Sequence, residues 1–245
     1  MSAEISILVP VYNSEKTLEK LYVRICSAMD QLPRKAFEII LIDDGSEDQS
    51  YEVCKALHER DERVKSIRLS RNFGQQNALM CGFHFAQGGF VFTIDDDLQH
   101  PPEEIQKLYE KLNKGYDVVF GIPDEKKHPF YRNIGTKMID RLLNRICKKP
   151  KGIKVSSFRG LRKDVVTKIV EDKTSFVYLA PMIFKVTRNA ANVSVDHAAR
   201  IYGKSNYSFL KLAVLYSKLA IYYSSFFKYL NCSSHPQFEI RDRQL

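Results

Sequence analysis

The chain has 245 residues, 44% hydrophobic and 27% charged, with no internal repeat or low-complexity stretch, which excludes a fibrous or largely disordered protein. A net charge of +9, from 38 Lys and Arg against 29 Asp and Glu, points to an anionic partner: nucleic acid, nucleotide phosphates or an acidic membrane surface. Five scattered cysteines (Cys26, Cys54, Cys81, Cys147, Cys232) form no C-x-x-C pair, which argues against a zinc site or a disulfide framework.

Ile5 to Val9 is a short apolar run ended by Pro10 and reads as a strand. Nothing before it has the order of a signal peptide, and with reduced cysteines this suits a cytoplasmic location. Glu15 to Gln31 has helical spacing, with Leu18, Leu21, Ile25 and Ala28 or Met29 on one face. Phe37 to Ile42 reads as a strand, Gln49 to Glu59 as a helix, and Val64 to Leu69 as a strand. Gln75 to Ala86 is a predicted helix, and Phe90 to Ile94 a strand that stops at Asp95, Asp96 and Asp97. Beyond Pro101-Pro102 come a helix (Glu103 to Asn113), a strand (Tyr116 to Phe120) and a basic segment from Lys126 to Lys154. From about Ser156 the alternation fades. Phe209 to Phe227 is apolar but broken by Lys211 and Lys218, so it is no membrane span, and a polar tail follows. Alternation of this kind predicts an α/β fold, with a mostly parallel sheet, helices on both faces, and ligands at the carboxyl ends of the strands.

Both acidic clusters fall at such ends. In Asp43-Asp44-Gly45-Ser46-x-Asp48, carboxylates can accept hydrogen bonds from a base edge or a ribose, while Gly45 allows a sharp turn. The alternative is a helix cap supplied by Ser46 or Asp48. In Asp95-Asp96-Asp97-Leu98-Gln99-His100, three successive carboxylates repel one another unless a hard cation such as Mg²⁺ or Mn²⁺ is bound. An extended backbone there would aim Asp95 and Asp97 to one side. The alternative is a solvated acidic loop. His100, between this motif and two prolines, reads as structural, and His58, His84, His128 and His197 lack metal-ligand spacing. Gly203-Lys204-Ser205 is not a phosphate loop, because Ala198 stands where the first glycine is needed; G-x-G-x-x-G is absent too.

VPVYNSE (9–15), IDDGSED (42–48), RNFGQQNALMCGF (71–83), DDDLQHPPE (95–103) and RIYGKSNYS (200–208) together resemble family 2 glycosyltransferases of GT-A fold. The similarity is to the subgroup of dolichyl-phosphate mannose synthase and the bacterial polyprenyl-phosphate sugar transferases. It implies a GT-A domain over 1–208, a Rossmann-like α/β unit, followed by an amphipathic segment over 209–230 and a tail over 231–245. It further implies that Pro10, Tyr12, Glu15, Asp43 and Asp44 line a nucleoside pocket, with Arg71, Gly74, Gln75, Asp95 and Asp96 also holding the nucleotide sugar. Asp97 and Gln99 would ligate Mg²⁺ or Mn²⁺, and Arg200 and Lys204 would cover the diphosphate, making Asp95, Asp97, Arg200 and Lys204 the catalytic set. Arg132 and Arg159 match arginines that receive an acceptor phosphate.

Membership of family 2 implies inversion at the sugar. A hydroxyl acceptor would normally need a carboxylate base, whereas a phosphate monoester is already anionic. Hydroxyl-directed members of the family it resembles place a Glu-Asp pair at the mouth of a helix after the metal motif; here the later pair, Glu171-Asp172, closes a predicted helix over Lys163–Val170 instead, so the resemblance favours a phosphate acceptor. The expected partners are a nucleoside-diphosphate sugar and a polyprenyl phosphate, with peripheral membrane contact and a homo-oligomer both open. The two long membrane helices common in that subgroup are missing from this sequence. A transferase acting on a hydroxyl, or a silent nucleotide-sugar binder, is therefore kept as the alternative. Nucleic acid is not expected, because the basic residues are scattered.

Overall fold

The computed structural model describes residues 3–32, 36–123, 144, 147, 149–196, 198, 214, 217–219, 221–223 and 237–245. The expectations placed on Arg132, Arg200 and Lys204, on His128 and His197, and on most of 209–230 lie outside the described residues.

The strands are β1 (Ile5–Val11), β2 (Phe37–Asp43), β3 (Val64–Leu69), β4 (Phe90–Thr93), β5 (Val118–Pro123), β6 (Arg159–Arg162), β7 (Ala190–Val195) and β8 (Ile240–Gln244). They form one sheet in the order β7-β5-β6-β4-β1-β2-β3-β8. Parallel pairing joins β4, β1, β2 and β3 at the centre and β5 to β7, while β6 and β8 run antiparallel to their neighbours. The helices are α1 (Leu18–Asp30), α2 (Ser50–Arg60), α3 (Gln75–Phe85), α4 (Ile105–Asn113), α5 (Lys163–Val170) and α6 (Leu179–Val186).

The two-residue period of the strands sorts the core into two layers. Ile5, Ile7, Val9 and Val11 of β1, with Ile39 and Leu41 of β2, pack against α1, α2 and α4. Leu8, Ile40 and Ile42 face the other way, onto α3, α5 and α6. Strands buried on both faces are largely apolar along their length, as β1 and β2 are; the exceptions, Ser6 and Glu38, bond each other at 2.5 Å. In α1, the buried residues are Leu18, Leu21, Ile25, Ala28 and Met29, the expected stripe. Close approach of α3 depends on Gly82, where a Cβ would stand 2.7 Å from Leu8 Cδ2 and 2.9 Å from Ile42 Cδ1.

Several boundaries differ from the sequence reading; β5, for instance, runs Val118–Pro123 rather than Tyr116–Phe120. Pro10 does not end β1, which continues to Val11 in register with Asp43. Leu8 bonds toward β4, so Pro10 does too, and β4 has already left the ladder after Thr93; the missing N–H therefore costs nothing. Glu15 to Thr17 is turn rather than helix. Within the expected polar tail, Ile240–Gln244 is the edge strand β8, antiparallel on β3. The Tyr51 hydroxyl donates to Asp242 Oδ2 at 2.8 Å and Ser70 N–H to Glu239 O at 2.8 Å, so polar bonds do there what apolar burial does elsewhere. Beyond Ser156 the alternation fades because β6 enters between β4 and β5 in the opposite sense.

Candidate functional site

The strand order reverses at β1, whose neighbours are β2 and β4, and a crevice opens there at the carboxyl ends. The cleft encloses about 290 Å³ and is lined by Pro10, Val11, Tyr12, Asp44, Asn72, Gly74, Gln75, Asp95, Asp96 and Asp97.

Its first wall is the segment after β1, stitched to the loop after β2. Asn13, at φ 53°, turns the chain. Its N–H donates to Ser46 Oγ at 3.0 Å, its Oδ1 accepts from Glu47 N–H at 2.9 Å, and Asp44 N–H donates to Val11 O at 2.8 Å. Asp48 accepts from Ser50 N–H at 3.0 Å and from Glu15 N–H at 3.2 Å, just ahead of α2, whose cap position is Gln49 rather than Ser46 or Asp48. Glu15, expected at the nucleoside, instead uses Oε2 to accept from Gln49 N–H at 3.0 Å, at the start of α2. Tyr12 is 43% exposed at the cleft rim, where its ring is free to stack on a planar group.

Gly45 has φ +69°, and a Cβ there would lie 2.6 Å from the carbonyl carbon of Arg71 and 2.8 Å from Asn72 N. The two loops touch backbone to backbone, so the motif needs glycine for both reasons. Beside it, Asp44 accepts from Phe73 N–H at 2.7 Å and from Gly74 N–H at 2.8 Å, which sets the start of α3. That N-terminus borders the cleft, where the helix dipole favours an anion. Asp43 is fully buried and does not line the cleft; its Oδ2 lies 3.4 Å from Arg68 Nε, and its Oδ1 accepts from Ser46 N–H at 3.3 Å. Asp43, expected at the nucleoside, is thus placed beneath the wall of the cleft rather than on it. Arg71 is exposed, with its guanidinium 4.6 Å over the Phe73 ring, and does not line the cleft either.

The acidic triplet is not extended. The chain turns over 96–98, with Leu98 buried at φ 61°, a strained conformation for a branched side chain. Asp95 accepts from Gln75 Nε2 at 2.5 Å and from Ser157 Oγ at 2.7 Å. Asp96 accepts from Tyr12 N–H at 3.0 Å and from Ser14 Oγ at 2.5 Å, tying β4 to the segment after β1. Asp97 Oδ1 accepts from Gln99 N–H at 3.1 Å. The Gln99 carbonyl accepts from Ala198 N–H at 2.9 Å, which anchors the chain two residues before Arg200. His100 is buried and stacks on Phe158 with centroids 5.1 Å apart, in keeping with its structural reading. Arg159, on β6, is buried; its Nε donates to Ser157 O at 3.3 Å, and burial lowers its pKa to about 10 against the opposing pull of Asp95.

Among the described residues no group of three His, Cys, Asp or Glu is placed to hold a metal ion. The carboxylates of Asp95, Asp96 and Asp97 that line the cleft are hard oxygen donors of the kind that suits Mg²⁺ or Mn²⁺. Sequence reading missed Val11 and Asn72 as lining residues. Both lie inside motifs already singled out, so their position was the available signal.

Burial pushes the Asp44 carboxyl up to about 6, opposed by the Phe73 and Gly74 N–H groups, and burial likewise pushes Asp96 up to about 6. A folded value above the unfolded one, about 3.9, means that the folded state holds the proton more tightly. The resulting stabilisation is complete below about pH 4 and is lost as pH rises through about 6. Urea titrations from pH 4 to 7 should show stability falling with pH, less steeply in Asp44→Asn; an equal slope in both would remove Asp44 as the source.

A twisted, mainly parallel sheet with a carboxylate-rimmed cleft at its switch point defines a nucleotide-binding α/β protein of GT-A type. The profile described as Glycosyl transferase family 2 matches residues 6–170, so the chain belongs to that family and is a nucleotide-sugar glycosyltransferase. Its fold is similar to that of glucosyl-3-phosphoglycerate synthase from Mycobacterium tuberculosis. A complex of that enzyme with Mn²⁺, UDP-glucose and phosphoglyceric acid aligns at TM-score 0.62 and 18% identity, covering 89% of this chain and 78% of that one. A complex with Mn²⁺ and UDP-glucose aligns at TM-score 0.61 and 18% identity over 99% and 86% of the two chains. A further structure, described as a mycobacterial protein, aligns at TM-score 0.60 and 16% identity, covering 89% and 73%.

Proposed function

We propose that this chain transfers a sugar, with inversion, from a nucleoside-diphosphate sugar to a phosphate-bearing acceptor, with Mg²⁺ or Mn²⁺ bound beside Asp97. The observation that carries this reading is the cleft itself, where Asp97, Asp95 and the N-terminus of α3 meet at the end of β1. The Mn²⁺ and UDP-glucose in complexes of the similar synthase support the donor and the metal.

Tyr12 and Pro10 flank the nucleoside, Asp44 fixes the Phe73–Gly74 backbone beside it, and the start of α3 faces the diphosphate. Bound at Asp97, the cation would supply positive charge to the diphosphate as it leaves. Asp96 holds the Tyr12–Ser14 segment against the metal motif, while Asp95 is kept in place by Gln75 and Ser157. Arg200 and Lys204, which follow the anchored Ala198, would close over the diphosphate. Arg159, and Arg132 with it, would receive the acceptor phosphate; a phosphate oxygen attacks the anomeric carbon without a general base.

The preferred acceptor is a polyprenyl phosphate at the cytosolic membrane face. No helix among the described residues is long and apolar enough to cross a membrane. Val214 and Ile221, seven residues apart, are exposed while Leu219 is buried, a pattern that suits an amphipathic helix in the interface. Phosphoglyceric acid in complexes of the similar synthase favours a second reading, a small phosphorylated acceptor.

Thermal stabilisation by UDP, GDP, dTDP and CMP, each with and without Mn²⁺, tests the donor half. The matching nucleotide at 100 times its Kd should add about 2.7 kcal/mol, and the diphosphates should need the metal. No stabilisation by any of the four, or equal stabilisation in excess chelator, would overturn the donor or the metal assignment respectively.

A further inference from the structure

We infer that Asp242, on the edge strand β8, is a positioning residue for the nucleoside side of the cleft, acting through Tyr51 and Arg68 on the loop that carries Asp43 and Asp44. The inference rests on the donor reading above.

A chain of contacts runs from the sheet edge to the cleft. Asp242 stands opposite Arg68 in the β3–β8 ladder. It accepts from the Tyr51 hydroxyl at 2.8 Å, and Tyr51, in the first turn of α2, is only 4% exposed. A ring that deeply buried needs a partner for its O–H, and Asp242 is that partner. The fixed ring is a platform for Arg68, whose guanidinium carbon lies 4.8 Å from its centroid. From there Arg68 Nη2 donates to Ser46 O at 3.3 Å, while its Nε lies 3.4 Å from the buried Asp43 carboxylate.

Ser46 and Asp44 are the residues that tie this loop to Asn13 and Val11, and Asp44 also holds Phe73 and Gly74. Arg68 thus pins the loop under the cleft. Asp242 and Asp43 flank it with negative charge from two sides, and burial raises the Asp43 pKa while Ser46 and Arg68 lower it. Without Asp242, the Tyr51 hydroxyl loses its acceptor, the ring is released, and Arg68 is free to turn toward water. The loop holding Asp44 then loosens at the nucleoside end, while the acidic triplet at the other end keeps its own contacts.

Strand β8 does not depend on this one carboxylate. Ser70 N–H donates to Glu239 O at 2.8 Å, and the Gln237 amide donates to Thr174 O at 2.7 Å. Arg243 also lies over the Phe85 ring at 5.8 Å.

The test measures nucleotide affinity by calorimetry, using whichever of UDP, GDP, dTDP and CMP stabilises the parent chain with Mn²⁺. Asp242→Ala and Tyr51→Phe should each weaken binding about fivefold, the loss of one part-buried hydrogen bond. The double variant should be no weaker than either single one, because both act along one path. In turnover, the donor KM should rise with kcat unchanged, and Asp242→Asn, which retains an acceptor oxygen, should recover part of the loss. Arg241→Ala, at an exposed neighbour on β8, controls for damage to the strand. A lower melting temperature with unchanged affinity would reduce Asp242 to a structural role and overturn the inference, as would additive losses in the double variant. A parent chain that binds none of the four nucleotides would instead strike the donor reading on which the inference stands.

Discussion

Asp97→Ala is expected to abolish the metal-dependent part of nucleoside-diphosphate binding and to lower kcat/KM roughly 10²–10³-fold, the usual loss when a preorganised charge at the leaving group is removed. Asp95 and Asp96 are each held by neighbouring donors from other segments, and Asp97, which lines the cleft, accepts from the nearby Gln99 N–H. Asp96→Ala should behave differently. It frees Tyr12 N–H and the Ser14 hydroxyl, so the segment after β1 loosens, and melting temperature and affinity should fall together. Calorimetric titration of the nucleotide, with Mn²⁺ and then with excess chelator, separates the two variants. Undiminished affinity of Asp97→Ala in Mn²⁺ would move the metal away from this residue.

The same contrast explains how much of the site was legible in the sequence. The two acidic motifs could be located because each follows a largely apolar, mostly buried strand, β2 or β4, and such strands end at the ligand-binding edge of a parallel sheet. What each carboxylate does was less legible. Asp44 reaches N–H groups about 30 residues away and Asp96 reaches Tyr12, 84 residues away, and those distances are set by packing, not by local spacing. Glu15 and Asp43 look like ligand contacts in the motif; the fold turns one to the start of α2 and buries the other beneath the cleft. Strand β8 escaped for a related reason. Ile240-Arg241-Asp242-Arg243-Gln244 has no apolar alternation, since an edge strand can be charged on its open side and owes its place to the ladder with β3. Helix α1 was read correctly because its five buried residues recur at helical spacing within thirteen positions, which needs no knowledge of the rest of the chain.

Arg159→Ala is expected to reduce transfer to a polyprenyl phosphate roughly 10²-fold, while the donor Kd changes by less than about twofold, as fits a charged hydrogen bond made to the acceptor alone. Arg159 is buried on β6 and does not itself line the cleft; its Nε donates to the Ser157 carbonyl, and the Ser157 hydroxyl donates to Asp95, which does. Holding a guanidinium in an environment that lowers its pKa to about 10 is unfavourable unless an anion compensates it; Asp95 supplies part, and an acceptor phosphate would supply more. Arg159→Lys keeps the charge but gives up the two-pronged geometry that matches phosphate oxygens, so it should recover little transfer. Because a buried residue is being changed, each variant is first compared with the parent by melting in saturating nucleotide and Mn²⁺. Acceptors are then offered in parallel: a short-chain polyprenyl phosphate, the corresponding alcohol, phosphoglyceric acid and a neutral glycan. Selective loss toward both phosphate-bearing acceptors would place the phosphate at Arg159, and the ratio between them would separate the lipid from the small acceptor. Equal loss toward every acceptor, or efficient parent transfer to the alcohol with none to the phosphates, would refute that placement and leave a hydroxyl-directed enzyme in its stead.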